Sequence, residues 1–104
     1  VDGNQNGGFH GFGVNVAGTL ASSMNLTAGL IDQNGALNDT MLTVLGNNNV
    51  FAMLQDNSSG GTQGNKIVGL QDGTGNQAAV VQMGDGNNAT FDQVGNSNIS
   101  AISQ

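Results

Sequence analysis

The chain has 104 residues, of which 18 are Gly, 16 Asn and 9 Gln, whereas only 8% are charged and none is Cys or Pro. Its net charge of −6 opposes contact with nucleic acid or an anionic membrane surface, and the lack of Cys excludes disulfides. An ordinary globular enzyme, with a bulky apolar core and a richly charged surface, is excluded by this composition.

The first thirteen residues are rich in Gly and Asn, and they predict a flexible leader over residues 1–13, followed by one domain over residues 14–104. The one His in the chain, His10, falls in this leader, and a lone imidazole is a weak metal ligand. Since Cys and Glu are also absent, the sequence predicts no catalytic residue, no metal site and no cofactor. It has no apolar run of the length that membrane insertion requires.

After the leader, Asn and Gln recur in a pattern whose full period is eleven residues. The stretch from Asn15 to Ala21 is a weak first match, and Val44 stands where the pattern expects Gln. Nine residues, from Asp56 to Gly64, then replace the usual four between Gln and Asn, which indicates a loop inserted into one turn. From there to the C-terminus the pattern is regular, with Asn at positions 65, 76, 87 and 98 and Gln at positions 71, 82, 93 and 104.

Short segments at this spacing favour strands over helices, because Gly and Asn recur in every eleven residues. The regular repeat predicts an all-β fold, a two-sheet β-solenoid whose strand–turn–strand coils hold about 22 residues each. The predicted turn glycines are Gly35, Gly46, Gly73, Gly75, Gly84, Gly86 and Gly95.

Side chains alternate along a strand, so the Asn that opens each segment and the Gln six residues later share one face. Charged residues such as Lys66 and Asp92 fall on the other face, so we predict that the amide face is inward. The predicted inward amides are Gln33, Asn38, Asn49, Gln55, Asn65, Gln71, Asn76, Gln82, Asn87, Gln93, Asn98 and Gln104. The predicted apolar core is Leu42, Phe51, Met53, Ile67, Ala78, Val80, Ala89, Phe91 and Ile102.

Stacking such coils places identical amides above one another, where they form hydrogen-bonded ladders along the axis. The same stacking predicts that Phe91 lies beside Gly69 and Phe51 beside Ala78, so that large side chains meet small ones. The open ends of a solenoid, with no cap evident in the sequence, predict head-to-tail association with further copies of the chain.

The pattern Gln-x-Gly-x-x-Asn-x-Ala-x3-Gln occurs from Gln71 to Gln82 and again from Gln82 to Gln93. It closely resembles the curlin repeat of bacterial curli. The resemblance implies a secreted mature chain, freed of its signal peptide, that forms extracellular cell-surface amyloid fibres for biofilm matrix and adhesion. It also implies a minor-curlin nucleator, an outer-membrane secretion pore and a periplasmic assembly inhibitor as partners. Because Lys66 is the only basic residue, the major fibre-forming subunit is favoured over the nucleator.

Two alternatives stay open from the sequence. The first is a monomeric β-solenoid that binds ice or carbohydrate, although the outward positions lack the Thr array that an ice-binding face needs. The second is an amyloid adhesin of an unrelated family, because the N-terminal repeats are weak.

Overall fold

The computed structural model describes residues 2–8, 11–58 and 60–104, and it consists mainly of two four-stranded parallel β-sheets. Along the chain the elements are β1 (Asp2–Asn4), α1 (Val16–Ser23), β2 (Ile31–Asn34), β3 (Asp39–Asn47), β4 (Val50–Asp56), β5 (Lys66–Thr74), β6 (Gln77–Met83), β7 (Asn88–Asn96) and β8 (Ile99–Ser103). Sheet A has the order β1-β3-β5-β7 and sheet B the order β2-β4-β6-β8. The chain thus alternates between the sheets, and the predominantly β character of the prediction is confirmed.

The register of the strands follows the spacing of the amides. Gln71 pairs with Gln93, which lies 22 residues later, and Gln55 pairs with Gln82, which lies 27 residues later. The longer separation contains the loop between β4 and β5, so the inserted residues enlarge one turn and leave the pairing of the strands unchanged. Gly69 pairs with Phe91, as the stacking predicts.

Two kinds of turn alternate along the chain, whereas the sequence predicted four-residue spacers everywhere except at the insertion from Asp56 to Gly64. The turns after β3, β5 and β7 contain only two residues, for example Gly75 and Asn76. The first residue of each is left-handed, with φ of 60° at Asn48, 73° at Gly75 and 60° at Ser97. The wider turns hold the predicted turn glycines Gly35, Gly84 and Gly86, all with positive φ.

The remaining predicted turn glycines lie inside strands, which corrects the prediction for Gly46, Gly73 and Gly95. They occupy the ends of β3, β5 and β7 and pair with one another in register, and Gly3 of β1 extends the column. A Cβ on Gly73 would stand 1.8 Å from the carbonyl oxygen of Gly95. Glycine is therefore required here by the close approach of successive backbones just before each tight turn.

The loop inserted after β4 is anchored by one carboxylate in the β6–β7 turn. Asp85 accepts backbone hydrogen bonds from the N–H groups of Thr62, Gln63 and Gly64 at 3.2, 3.2 and 2.6 Å. The bond from Gly64 contributes most to holding the pKa of Asp85 below its usual range, and those from Gln63 and Thr62 act in the same direction. These three hydrogen bonds, here called the clasp, therefore favour the ionised form of Asp85.

We expect this clasp to open in acid. Because the pKa of Asp85 in the folded chain lies below the unfolded value of 3.8, the clasp is complete above that pH and is lost as the pH falls through the lowered pKa. Hydrogen-exchange protection of the Thr62, Gln63 and Gly64 amides should decrease over that range. In Asp85→Ala, which has no acceptor, it should be low even at neutral pH, whereas Asp72→Ala, at an exposed position of β5, should leave it intact. Full protection in Asp85→Ala would contradict the clasp.

Helix α1 was not predicted, and it replaces the weak first repeat expected from Asn15 to Ala21. The Asn15 side chain caps the helix by accepting a hydrogen bond from the Gly18 N–H at 2.9 Å. Ala17 and Ala21 are buried, at the i and i+4 positions of one helical face. An N-cap followed by a small apolar stripe is a helix signal that competes with the eleven-residue pattern.

Residues 11–23, here called the strap, cover part of the outer face of sheet B. Helix α1 packs against β6 and β8, and the Gly13 N–H and Asn15 Nδ2 both donate to Gln77 Oε1, at 2.9 and 2.8 Å. The sequence placed the alternate residues of β4, β6 and β8 on an outward, exposed face. Instead, four of them are buried, namely Val50, Ala52, Ala79 and Val81.

Part of the predicted leader pairs with the sheets. Strand β1 pairs with residues 45–47 of β3, and Gly7 forms an isolated bridge with Val50. The domain boundary between residues 13 and 14 stays a prediction, as does flexibility of the leader, and His10 lies outside the described residues.

Candidate functional site: the amide ladders between the sheets

The space between the two sheets is filled by a thin apolar cluster with amides on both sides of it. The buried members of the cluster come from both sheets and are Val44, Phe51, Met53, Ile67, Ala78, Val80, Ala89 and Phe91. Ile31, Leu42 and Ile102 are partly buried against it. The predicted core residues thus come together between the sheets, with Val44 added in the position where the sequence pattern expects Gln.

Four glutamines form a continuous ladder along sheet B. The Nε2 of Gln33 donates to the Oε1 of Gln55 at 2.7 Å, Gln55 to Gln82 at 3.0 Å, and Gln82 to Gln104 at 2.8 Å. Gln55 and Gln82 are fully buried, whereas Gln33 and Gln104, at the two ends, are exposed. Every bond has the same direction, with the donor on the earlier residue.

The same Nε2 groups also bind the opposite sheet. Gln55 donates to the Asp39 carbonyl at 3.0 Å, and Gln82 donates to the Lys66 carbonyl at 2.9 Å. Gln71 and Gln93, on sheet A, likewise donate to carbonyls of sheet B. Each glutamine side chain thereby links its neighbour along the stack to the sheet across the interior.

The ladder of sheet A is incomplete. Gln71 Nε2 donates to Gln93 Oε1 at 2.9 Å, but Gln71 Oε1 is a buried acceptor without a hydrogen-bond partner in the described part of the chain. The residue paired with Gln71 on the preceding strand is Val44, which has no donor to offer. An unpaired buried acceptor costs about 1–3 kcal/mol, so this position weakens the interior.

Restoring the missing donor should stabilise the chain. In Val44→Gln, the new Nε2 is placed to donate to Gln71 Oε1, whereas Val44→Met adds similar length without a donor. We expect Val44→Gln to exceed Val44→Met in unfolding free energy by about 1 kcal/mol, measured by chemical denaturation of the monomer. Equal stabilities would show that Gln71 Oε1 gains nothing from a donor at this position.

The inward asparagines do not form the side-chain ladders that the sequence predicted. Instead, each Oδ1 accepts the backbone N–H of the next asparagine in the stack. Asn49 Oδ1 accepts the N–H of Asn76 at 2.9 Å, and Asn76 Oδ1 accepts that of Asn98 at 2.9 Å. Asn38, Asn65 and Asn87 form the matching column at the wider turns, at 3.2 and 3.1 Å. The short Asn side chain therefore bonds to backbone at the corner, where its Nδ2 also donates to carbonyls near strand ends, such as those of Gly95 and Met83.

Asn6 extends the column at the tight turns, and the sequence reading missed it. Its Oδ1 accepts the N–H of Asn49 at 2.9 Å, as Asn49 does for Asn76. The signal was present as Gly-x-x-Asn, which begins at Gly3, Gly46, Gly73 and Gly95 in turn. It was hidden because residues 1–13 have the composition of a leader.

The described residues give no support for a metal site or for a membrane-spanning helix. Within 2–8, 11–58 and 60–104, no group of three or more His, Cys, Asp or Glu side chains is placed to hold a metal ion. Over the same residues, no helix has the length and apolar character needed to cross a bilayer. The hydrogen-bonded columns of Asn and Gln between the sheets are therefore the candidate functional site.

The comparison with known families bears on the last part of these ladders. A family model described as curlin associated repeat matches residues 73–104. This stretch is similar to the curlin-associated repeat. It contains β6, β7 and β8, together with the amide columns that end at Asn98 and Gln104, so the resemblance read from the sequence is confirmed there. Curlin repeats belong to a structural family and not to an enzyme family. No match was found among curated proteins or among solved structures.

Proposed function

We propose that the chain is the major, fibre-forming subunit of an extracellular curli-type amyloid that serves biofilm matrix and surface adhesion. The observation that carries the proposal is the exposed pair of ladder ends, Gln33 and Gln104, on a stack of buried amides. One end presents an acceptor and the other a donor, so a further copy of the chain can extend the ladder in either direction.

In this proposal the two sheets are the sides of a β-solenoid that continues from one copy to the next. Strands β7 and β8 are the last strands of their sheets, and an unprotected strand edge is a template for further pairing. Because the contact joins two different surfaces of the chain, it does not close on itself, and it yields a fibre with strands perpendicular to the axis.

The remaining parts of the proposal rest on the family. Curlin-type export implies secretion through an outer-membrane pore, control by a periplasmic inhibitor, and nucleation by a minor curlin. Lys66, the only basic residue, favours the role of major subunit for this chain. Self-association is therefore the activity, with no cofactor involved.

Fibre formation is tested with purified chain. We expect thioflavin-positive fibres after a lag, visible by electron microscopy, with a meridional reflection near 4.7–4.8 Å. Val80→Pro is the control, because proline in the central part of β6 removes a ladder donor and should abolish assembly. A wild-type chain that stays a compact monomer for days at high concentration would contradict the proposal.

The monomeric binding module remains the alternative, and one observation favours it. The strap packs its helix against β6 and β8 on the outer face of sheet B, where Ala79 is buried, and this reduces the apolar surface of a single copy. The same experiment separates the two functions, since a monomeric module stays in solution.

A further inference from the structure

We propose that the Asn34–Gly35 pair, at the turn between β2 and β3, is a self-modification site where the folded chain deamidates and Asn34 becomes an acid. The proposal goes beyond the fibre function, because it applies to a single copy whether or not fibres form. It follows from a comparison of the two Asn-Gly pairs of the chain, Asn6–Gly7 and Asn34–Gly35.

Deamidation at such a pair needs no enzyme. The backbone nitrogen of the glycine attacks Cγ of the asparagine side chain, its proton leaves with the amide nitrogen as ammonia, and a five-membered succinimide ring forms. Water then opens either carbonyl of the ring, which gives aspartate or isoaspartate. Glycine favours the attack, because it has no Cβ to shield its nitrogen and its backbone rotates freely. The net reaction is the hydrolysis of one side-chain amide.

The two pairs are matched in local sequence, because each lies in a Gln-Asn-Gly tripeptide, at residues 5–7 and 33–35. Both also belong to the first layer of the stack, since β1 and β2 are the first strands of their sheets. Intrinsic reactivity and position in the stack are therefore common to both pairs. The hydrogen bonds of the reacting groups are what distinguishes them.

The structure holds both reacting groups of the first pair. Asn6 Nδ2 donates to the Gly46 carbonyl at 3.0 Å, and Asn6 Oδ1 accepts the Asn49 N–H at 2.9 Å. The Gly7 N–H donates to the Asn49 carbonyl at 2.7 Å. Closing the ring requires the side chain and the backbone to leave all three hydrogen bonds, so we expect the fold to protect Asn6.

The reacting groups of the second pair are not held in this way. Within the described residues, neither the Gly35 N–H nor the Asn34 side-chain amide has a hydrogen-bond partner. Asn34 follows Gln33 in β2, so its side chain lies on the outer face of sheet B. Asp56, which pairs with Asn34 and has strands on both sides, is still partly exposed. This outer position is therefore open to water even inside the stack.

The main chain at Asn34 is anchored by only two bonds at the turn. Its carbonyl accepts the Asn57 N–H at 3.0 Å and the Asn38 Nδ2 at 2.8 Å. Both bonds lie at the end of a four-residue strand, where local opening costs little free energy. In the isoaspartate product the main chain continues through Cγ, and this carbonyl becomes a free carboxylate. The modification therefore also displaces the acceptor that anchors the turn.

The aspartate product brings two carboxylates together, because residue 34 pairs with Asp56 on strands about 4.8 Å apart. Like charges at neighbouring positions of a sheet are destabilising. We expect Asn34→Asp to lower the denaturation midpoint of the monomer relative to Asn34→Ser, and Asp56→Asn to remove that difference. Equal midpoints for Asn34→Asp and Asn34→Ser would overturn this consequence of the modification.

The test of the site itself incubates folded chain in neutral buffer, dilute enough to stay monomeric. Peptide mass spectrometry measures deamidation at each pair, and isoaspartyl methyltransferase labelling detects the isoaspartate product. A parallel sample is kept in denaturant. In the folded chain we expect Asn34 to deamidate at least about fivefold faster than Asn6. In denaturant the two rates should agree within about twofold, because the tripeptides are identical.

Asn34→Gln is the matched control, because its longer side chain would have to form a six-membered ring. It should abolish the reaction at residue 34 and leave the rate at Asn6 unchanged. Equal rates at the two pairs of the folded chain, or a faster reaction at Asn6, would overturn the proposal. A folded chain in which neither pair reacts, although both react in denaturant, would overturn it as well, since the turn would then protect Asn34.

Discussion

Gly69→Ala lowers the unfolding free energy of the monomer by an expected 1–3 kcal/mol, roughly the cost of overpacking a tight core. A Cβ on Gly69 would stand 2.3 Å from Cζ and 2.4 Å from Cε1 of Phe91, the residue paired with it on β7. Phe91 is itself buried in the cluster between the sheets, so its ring has little room to move aside. Gly69 has no positive φ, so the loss measures packing and not backbone strain. Chemical denaturation of the monomer gives the value.

A double-mutant cycle with Phe91→Leu checks the cause. The smaller side chain should relieve the clash, so the double variant should be more stable than the sum of the two single losses predicts. Strictly additive losses would mean that Gly69 and Phe91 do not limit each other. That result would contradict the pairing of β5 with β7 in the observed register.

Gln82→Met is expected to have the largest effect of any single change in the ladders. Gln82 is fully buried and takes part in three hydrogen bonds, to Gln55, Gln104 and the Lys66 carbonyl. Methionine keeps similar length but satisfies none of these partners, and each group left unpaired in the interior costs about 1–3 kcal/mol. We expect a total loss of about 3–5 kcal/mol in unfolding free energy.

The matched control is Gln63→Met, on the exposed part of the inserted loop, which should change stability by less than about 0.5 kcal/mol. Both variants are measured by chemical denaturation of the monomer under the same conditions. A loss below about 1 kcal/mol for Gln82→Met would show that the ladder adds little to stability. The ladder would then act mainly in setting the register.

The amide period predicts which residues meet, because residues that stack in identical coils must be neighbours. It gives the pairs Gly69–Phe91 and Gln71–Gln93, and it identifies Val44 as a departure whose consequence is the unpaired acceptor on Gln71. The period does not reveal which group each amide side chain hydrogen-bonds to. Both Asn and Gln carry amides, but only the longer Gln side chain reaches its neighbour along the stack, whereas Asn bonds to backbone at the corner.

The strap could not be predicted from the repeat, because its position depends on contacts between distant parts of the chain. Strand alternation places Ala52 and Ala79 on the outer face of sheet B correctly, but it does not reveal that α1 packs against that face at β6 and β8. The column of strand glycines, Gly46, Gly73 and Gly95, was mispredicted for a related reason. Glycine suits turns and close backbone approach equally well, and only the pairing of Gly46 with Gly73 separates the two.

Mass per unit length, measured on single unstained filaments by electron scattering, tests the central claim most directly. Each chain contributes four strands to each sheet and has a mass of 10.4 kDa. With strands about 4.8 Å apart, four layers span about 19 Å, which predicts about 0.5 kDa per Å for a solenoid fibre. A value near 2 kDa per Å, which is one chain per layer of about 4.8 Å, would show that the chains stack flat and would contradict the account.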